Sequence, residues 1–264
     1  MIIDFHTHAF PDKIAKGAMS ALASASGLVP FTDGTVSDTS RLMAECKIDR
    51  RVMLSIATNP KQQTNVNNFA IETNKEEGIY AFGSVHPMAE NALSELERLK
   101  NEGLRGIKLH PEYQGFEISD EKMYPIYEKC IKLGLIIVFH AGKDIGFPDS
   151  LNASCRSINR LSKDFSGADF VMAHFGGCMQ PEEALEYVAG CGFYIDTSFS
   201  KGYISKTDGE KIIKKQGAEK VLFASDCPWA SPYETFEFIN SFDLTEDEKL
   251  NIFSKNALRL LEKC

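Results

Sequence analysis

The chain has no Cys-x-x-Cys pair, no run rich in lysine and arginine, a single tryptophan, and no apolar stretch of membrane-spanning length. Each absence closes off a class of function. The seven cysteines (Cys46, Cys130, Cys155, Cys178, Cys191, Cys227 and Cys264) are odd in number and widely scattered. That pattern reads as reduced thiols in a cytosol and not as a disulfide framework. Cys46 and Cys130 fall on helical patterns and read as small core residues; Cys227 stands out only because it follows Asp226. A net charge of −8 without a basic cluster repels nucleic acid and acidic membranes at long range, so neither is an expected partner. The longest largely apolar run, 133–141, is far shorter than the ~20 residues of a membrane helix, and no leader-like pattern opens the chain. The expectation is a soluble cytoplasmic protein with a small-molecule partner and, as its simplest assembly, a homodimer.

What the sequence does contain is a rhythm. Apolar runs recur at 2–5, 51–57, 79–85, 104–109, 135–139, 170–173, 193–195 and 221–224, with amphipathic stretches between them. Glycines at 103, 134, 190 and 192 stand where helices would stop and strands begin. Eight such units in 264 residues predict an α/β fold, a single (β/α)8 TIM barrel over 1–264. Residues 9–38, rich in Ser, Ala, Gly and Thr and broken by Pro11 and Pro30, form an irregular insertion that could serve as a lid. Thr245 and Glu248 make a capping box that opens a final helix expected to seal the barrel.

In such a barrel the chemistry collects at the carboxyl ends of the strands. His6 and His8 close the first run, His86 the third, Lys108 and His110 the fourth, His140 the fifth, His174 the sixth and Asp226 the eighth. All six histidines of the chain therefore fall at strand ends. His6 and His8, two residues apart, share a strand face with Cα atoms roughly 6.6 Å apart, close enough to lean toward one cation. Nitrogen and carboxylate donors are the kind that zinc, iron and manganese accept. His86 reads as a structural imidazole. Gly176-Gly177 lacks a following Gly-Lys-Ser/Thr pattern and reads as a tight turn or a close backbone approach.

Five segments carry a resemblance: Asp4-Phe5-His6-Thr7-His8, Gly106-Ile107-Lys108-Leu109-His110-Pro111, Val138-Phe139-His140-Ala141-Gly142, Ala173-His174-Phe175-Gly176-Gly177 and Ala224-Ser225-Asp226-Cys227-Pro228-Trp229. In this order the chain resembles the amidohydrolase superfamily, in the branch that includes aminocarboxymuconate semialdehyde decarboxylase and related small hydrolases. The resemblance implies one divalent metal, foremost Zn2+ with Mn2+ or Fe2+ as alternatives, held by His6, His8, His140 and Asp226. His174 would stand beside it as polariser or proton handler. It also implies that Lys108 could, in a carbamylated form, bridge a second metal, although one metal is the expectation. Lys108, His110, Trp229 and Arg156 are the candidate substrate contacts, and Lys143 is a further cation.

The expected reaction is hydrolysis of a C–O or C–N bond in a lactone, ester or cyclic amide. Metal-activated water would attack, Asp226 would shuttle the proton, and protonated His174 would stabilise the oxyanion. Two readings compete with it. The same metal site could decarboxylate or hydrate a small carboxylic acid, or the barrel could be non-catalytic and hold a structural metal.

Overall fold

The computed structural model describes residues 1–263, and within them all eight apolar runs become strands. These are β1 (Ile3–Thr7), β2 (Arg50–Leu54), β3 (Ile79–Phe82), β4 (Gly106–Leu109), β5 (Ile136–Phe139), β6 (Phe170–Met172), β7 (Tyr194–Asp196) and β8 (Val221–Leu222). Every pairing is parallel, in the orders β1-β2-β3 and β4-β5-β6-β7-β8. Two seams close these arcs into one barrel. At the first, Gly83 N donates to Gly106 O (3.1 Å) and Lys108 N to Gly83 O (2.8 Å). At the second, Phe5 N donates to Phe223 O (2.8 Å), Asp226 N to His6 O (2.9 Å) and His8 N to Cys227 O (2.7 Å).

The apolar side chains divide by strand parity. Ile107, Leu109, Ile137 and Phe139 face the surrounding helices, while Ile3, Phe5, Val52, Leu54, Phe82, Ile136, Val138 and Val171 fill the inside. Gly106 is needed at its inward position, because a Cβ there would lie 2.5 Å from both the Phe82 ring and the Ile136 carbonyl oxygen. Strand β1 breaks the parity. Its register against β2 gains a residue between Asp4 and Thr7, a bulge that lets His6 follow the inward-facing Phe5 to the inside.

The capping box at Thr245 forms as expected and opens a helical stretch that runs through Asn256–Glu262. Ala257, Leu260 and Leu261 join the inner cluster, and Lys263 reaches Asp169 just ahead of β6 (3.1 Å). The final helix thus seals the amino end of the barrel, opposite the histidines.

The insertion at 9–38 departs from expectation. Half of it is the 15-residue helix Asp12–Ser26, ended by Gly27 in the left-handed conformation, and the helix Val36–Glu45 begins within it. Alanine, which made the segment look featureless, is the strongest helix former. The arm between the helices crosses to the carboxyl end of the barrel, where Phe31 N donates to Pro228 O (2.8 Å). Among the described residues, no helix is long and apolar enough to cross a membrane.

Candidate active site

Four imidazoles gather inside the carboxyl end of the barrel, and each has an acceptor on its outer side. His6 Nδ1–H donates to Asp196 Oδ2 (2.9 Å) and His8 Nδ1–H to Leu54 O (2.9 Å). His140 Nε2–H donates to Lys143 O (3.2 Å), and His174 Nδ1–H is shared by Ser198 Oγ (2.9 Å) and Ser198 O (3.2 Å). Carbonyl and carboxylate oxygens only accept, so the proton of each neutral ring is assigned to that outer nitrogen. The inner nitrogens are then lone pairs. Burial, reinforced by neighbouring groups that include the Lys108 ammonium, holds His6, His140 and His174 neutral, well below the usual imidazole range.

These lone pairs face one another. His6 Nε2 and His8 Nε2 lie 3.1 Å apart, and Asp226 Oδ1 lies 3.3 Å from the first and 3.2 Å from the second. His6 is neutral with its proton on the far nitrogen, so its contact with Asp226 is an approach of two acceptors and not an ion pair. Three acceptors in van der Waals contact without a hydrogen repel one another; a cation placed among them removes the repulsion. His140 is not brought into this trio. Its Nδ1 faces His174 Nε2 at 3.1 Å, again bare nitrogen to bare nitrogen, and the His174 ring lies 5.3 Å from that of His6. Burial also pushes the Asp226 carboxyl up, against the pull of the Lys108 ammonium.

Lys108 brings a buried ammonium to the trio, with Nζ 3.5 Å from His6 Nε2. Only 1% of it is exposed, and burial lowers it to about 8 although Asp196, Asp226 and Asp144 oppose the shift. The backbone is held off its preferred conformations at the same place. His174 (φ 58°), Phe175 (57°), Phe199 (50°) and Asp226 (74°) are all left-handed without being glycine. Gly142, next but one to His140, packs so closely on the loop after β6 that a Cβ would lie 2.2 Å from Cys178 N.

A second histidine group forms beside the first. His110 stacks on His140 with centroids 4.3 Å apart and planes 15° apart, and its Nε2–H donates to Asp144 Oδ2 (3.2 Å). Near-parallel stacked rings share no point that lies in both planes, so one ion cannot take both lone pairs as the rings stand. His110 Nδ1 and Glu112 Oε2, buried 3.8 Å apart, have no hydrogen-bond partner. Trp229 is half-buried and tied to the site by its N–H on Asp226 O (2.8 Å).

Two expectations are corrected. Arg156 does not line the site: it is exposed in the first turn of the helix Cys155–Asp164, its guanidinium 4.3 Å above the Tyr187 ring. His174 is an acceptor, because burial keeps it neutral and Ser198 takes its N–H; it is not a protonated oxyanion stabiliser in this arrangement. His86 is the structural imidazole expected, its Nδ1 accepting from Met88 N (3.1 Å). Gly176 makes a tight turn against Val188. Sequence reasoning missed Asp196, although the strand-end rule applied to the seventh run would have found it one residue beyond Ile195. Ser198 and Asp144 lie in loops and carried no such signal. The six described cysteines are free, and burial raises the thiols of Cys178 and Cys227, which lie near the site, so neither is a ready nucleophile.

The family model described as amidohydrolase matches residues 3–263. The chain belongs to the amidohydrolase family. It shares the barrel of its structural neighbours. Among curated proteins it is similar to the 2-amino-3-carboxymuconate-6-semialdehyde decarboxylase of Dictyostelium discoideum, 25% identical over 214 residues, which are 65% of this chain and 57% of that protein. The match thus spans little more than half of that relative. Among solved structures, an uncharacterised TIM-barrel protein of Bordetella bronchiseptica superposes with a TM-score of 0.80 at 18% identity, covering 99% of this chain and 98% of that one. The 5-carboxyvanillate decarboxylase of Sphingomonas paucimobilis gives 0.75 at 17% identity, covering 99% and 98%. At these identities the structural matches speak for the fold.

Proposed function

We propose a divalent-metal-dependent enzyme that decarboxylates a small unsaturated or aromatic carboxylic acid without oxidation. The observation that carries the metal is the inward set of bare donors, each imidazole having its hydrogen bonded outward. His6, His8 and Asp226 would hold the ion, with His140 Nδ1 as the fourth donor. Three nitrogens and a carboxylate suit zinc, manganese or iron, with zinc the first expectation. A bound ion supplies Lewis acidity at a substrate oxygen.

The remaining steps belong to the side chains. Lys108, charged below about pH 8, pairs with the substrate carboxylate inside the barrel. Asp226, a bare carboxylate beside the substrate, takes a proton from solvent and delivers it to the substrate carbon as the bond to the departing CO2 breaks. His174 Nε2 accepts a hydrogen from a substrate hydroxyl. His110 and Trp229 flank the pocket. The arm 27–35 and the loop 143–152 shape its rim, the arm as a cover, which is where selection among small acids would lie.

Decarboxylation stands ahead of hydrolysis because Lys108 places a buried cation beside the metal donors, and because the curated relative is a decarboxylase. Hydrolysis of a lactone, ester or cyclic amide is the second reading, favoured by the two acceptors Asp226 and His174 that could take a proton from an attacking water. Assay of the metal-loaded protein against unsaturated and aromatic acids, and against lactones and esters, separates the two. The expected result is CO2 from an acid. Acid release from a lactone or ester with no CO2 from any acid would reverse the order.

A further inference from the structure

One fully buried carboxylate at the end of β7 touches the histidines of two other strands. Asp196 Oδ2 accepts His6 Nδ1–H at 2.9 Å. Its Oδ1 accepts the backbone N–H of His174 (2.9 Å), the backbone N–H of Ser198 (3.0 Å) and the Ser198 hydroxyl. Ser198 Oγ, having given its hydrogen to Asp196, accepts from His174 Nδ1 (2.9 Å) and lies 3.1 Å from His6 Nδ1. Every hydrogen in this set has one consistent direction, toward Asp196.

We infer that Asp196 is a positioning residue that fixes the ring protons of His6 and, through Ser198, of His174 on Nδ1, so that both present a bare Nε2 to the metal pocket. The inference rests on the reading of His6 as a metal ligand. In water the two tautomers of a neutral imidazole lie close in energy, so an acceptor-only neighbour is enough to choose between them. The two backbone amides fix the direction, because they can only donate and therefore demand oxygen at Oδ1. In Asp196→Asn the amide nitrogen would accordingly take the other position, against His6. An N–H facing His6 Nδ1 makes that nitrogen an acceptor, which moves the ring proton to Nε2, into the trio, where it blocks a cation.

The test uses the full-length, metal-free protein and zinc as the probe. Long-range 1H–15N correlation reports which ring nitrogen carries the proton, and calorimetric titration reports zinc affinity. Wild type should show His6 protonated on Nδ1; Asp196→Asn should show it on Nε2, with zinc bound about 10–100-fold more weakly. Ser198→Ala keeps the carboxylate on His6, so it should keep the Nδ1 proton and weaken zinc only a few-fold, and it serves also if Asp196→Asn does not fold. A wild-type His6 protonated on Nε2, a folded Asp196→Asn protein with unchanged zinc affinity, or loss of the Nδ1 proton in Ser198→Ala would each overturn the lock. A wild-type protein with His6 protonated on Nδ1 that takes up no zinc would instead strike the metal reading, and with it the purpose given to the lock.

Discussion

The two halves of the barrel interior are built on the same eight strands and are buried alike, yet they are filled with opposite chemistry. Toward the amino end stand Ile3, Phe5, Val52, Leu54, Phe82, Ile136 and Val138, sealed below by Leu260 and Leu261. Toward the carboxyl end stand His6, Lys108, His140, His174, Asp196 and Asp226, no more than 8% exposed. The lower half follows the pleat. The upper half has the β1 bulge and four non-glycine residues at positive φ, each costing on the order of 1–3 kcal/mol. Apolar burial below offsets that cost and lets the upper half hold acceptors against one another.

The sharpest way to break this division is to change one side chain in each half. Asp226→Asn should lower turnover by about 10²–10⁴ while keeping much of the metal and the thermal midpoint, as read by steady-state kinetics, elemental analysis and a melt. Phe82→Ala should do the reverse. It should cost about 3–5 kcal/mol in denaturant unfolding, with little change in turnover of the protein that remains folded. A near-normal rate in the first variant, or near-normal stability in the second, would erase the contrast.

A smaller effect sharpens the boundary, because Lys108 is a buried cation of the upper half. Its folded value of about 8 lies below the unfolded value of 10.5, so between those limits the unfolded chain holds a proton that the folded chain has released. Wild-type stability should therefore rise with pH relative to Lys108→Met from about pH 8 upward, by at most about 1.4 kcal/mol per unit, and run parallel to it below. Urea unfolding of both proteins from pH 7 to 10 measures this. A difference independent of pH would mean that Lys108 keeps its charge throughout.

The strands were legible because buried parallel strands read as apolar runs, and the site because five strand ends carry a histidine that helix faces do not. The two-residue rule for His6 and His8 held even though the bulge, which no pattern announces, decides that they face inward. The helix Asp12–Ser26 was illegible as long as its alanines were read together with Ser, Gly and Thr as an irregular insertion. Arg156 shows the limit of charge as a signal: its position in the chain does not tell which face of a helix turns to the barrel. Asp196 was within reach, and its role depends on a contact with His6, 190 positions away, that only the folded barrel makes.

The central claim, that the inward lone pairs hold a cation, is tested most directly by a crystal of the freshly purified protein measured at the absorption edge of the metal found by elemental analysis. One anomalous peak is expected at about 2.0–2.2 Å from His6 Nε2, His8 Nε2 and an Asp226 oxygen, with His140 Nδ1 turned toward it. No peak, with the trio closed by ring protons on Nε2, would contradict the claim.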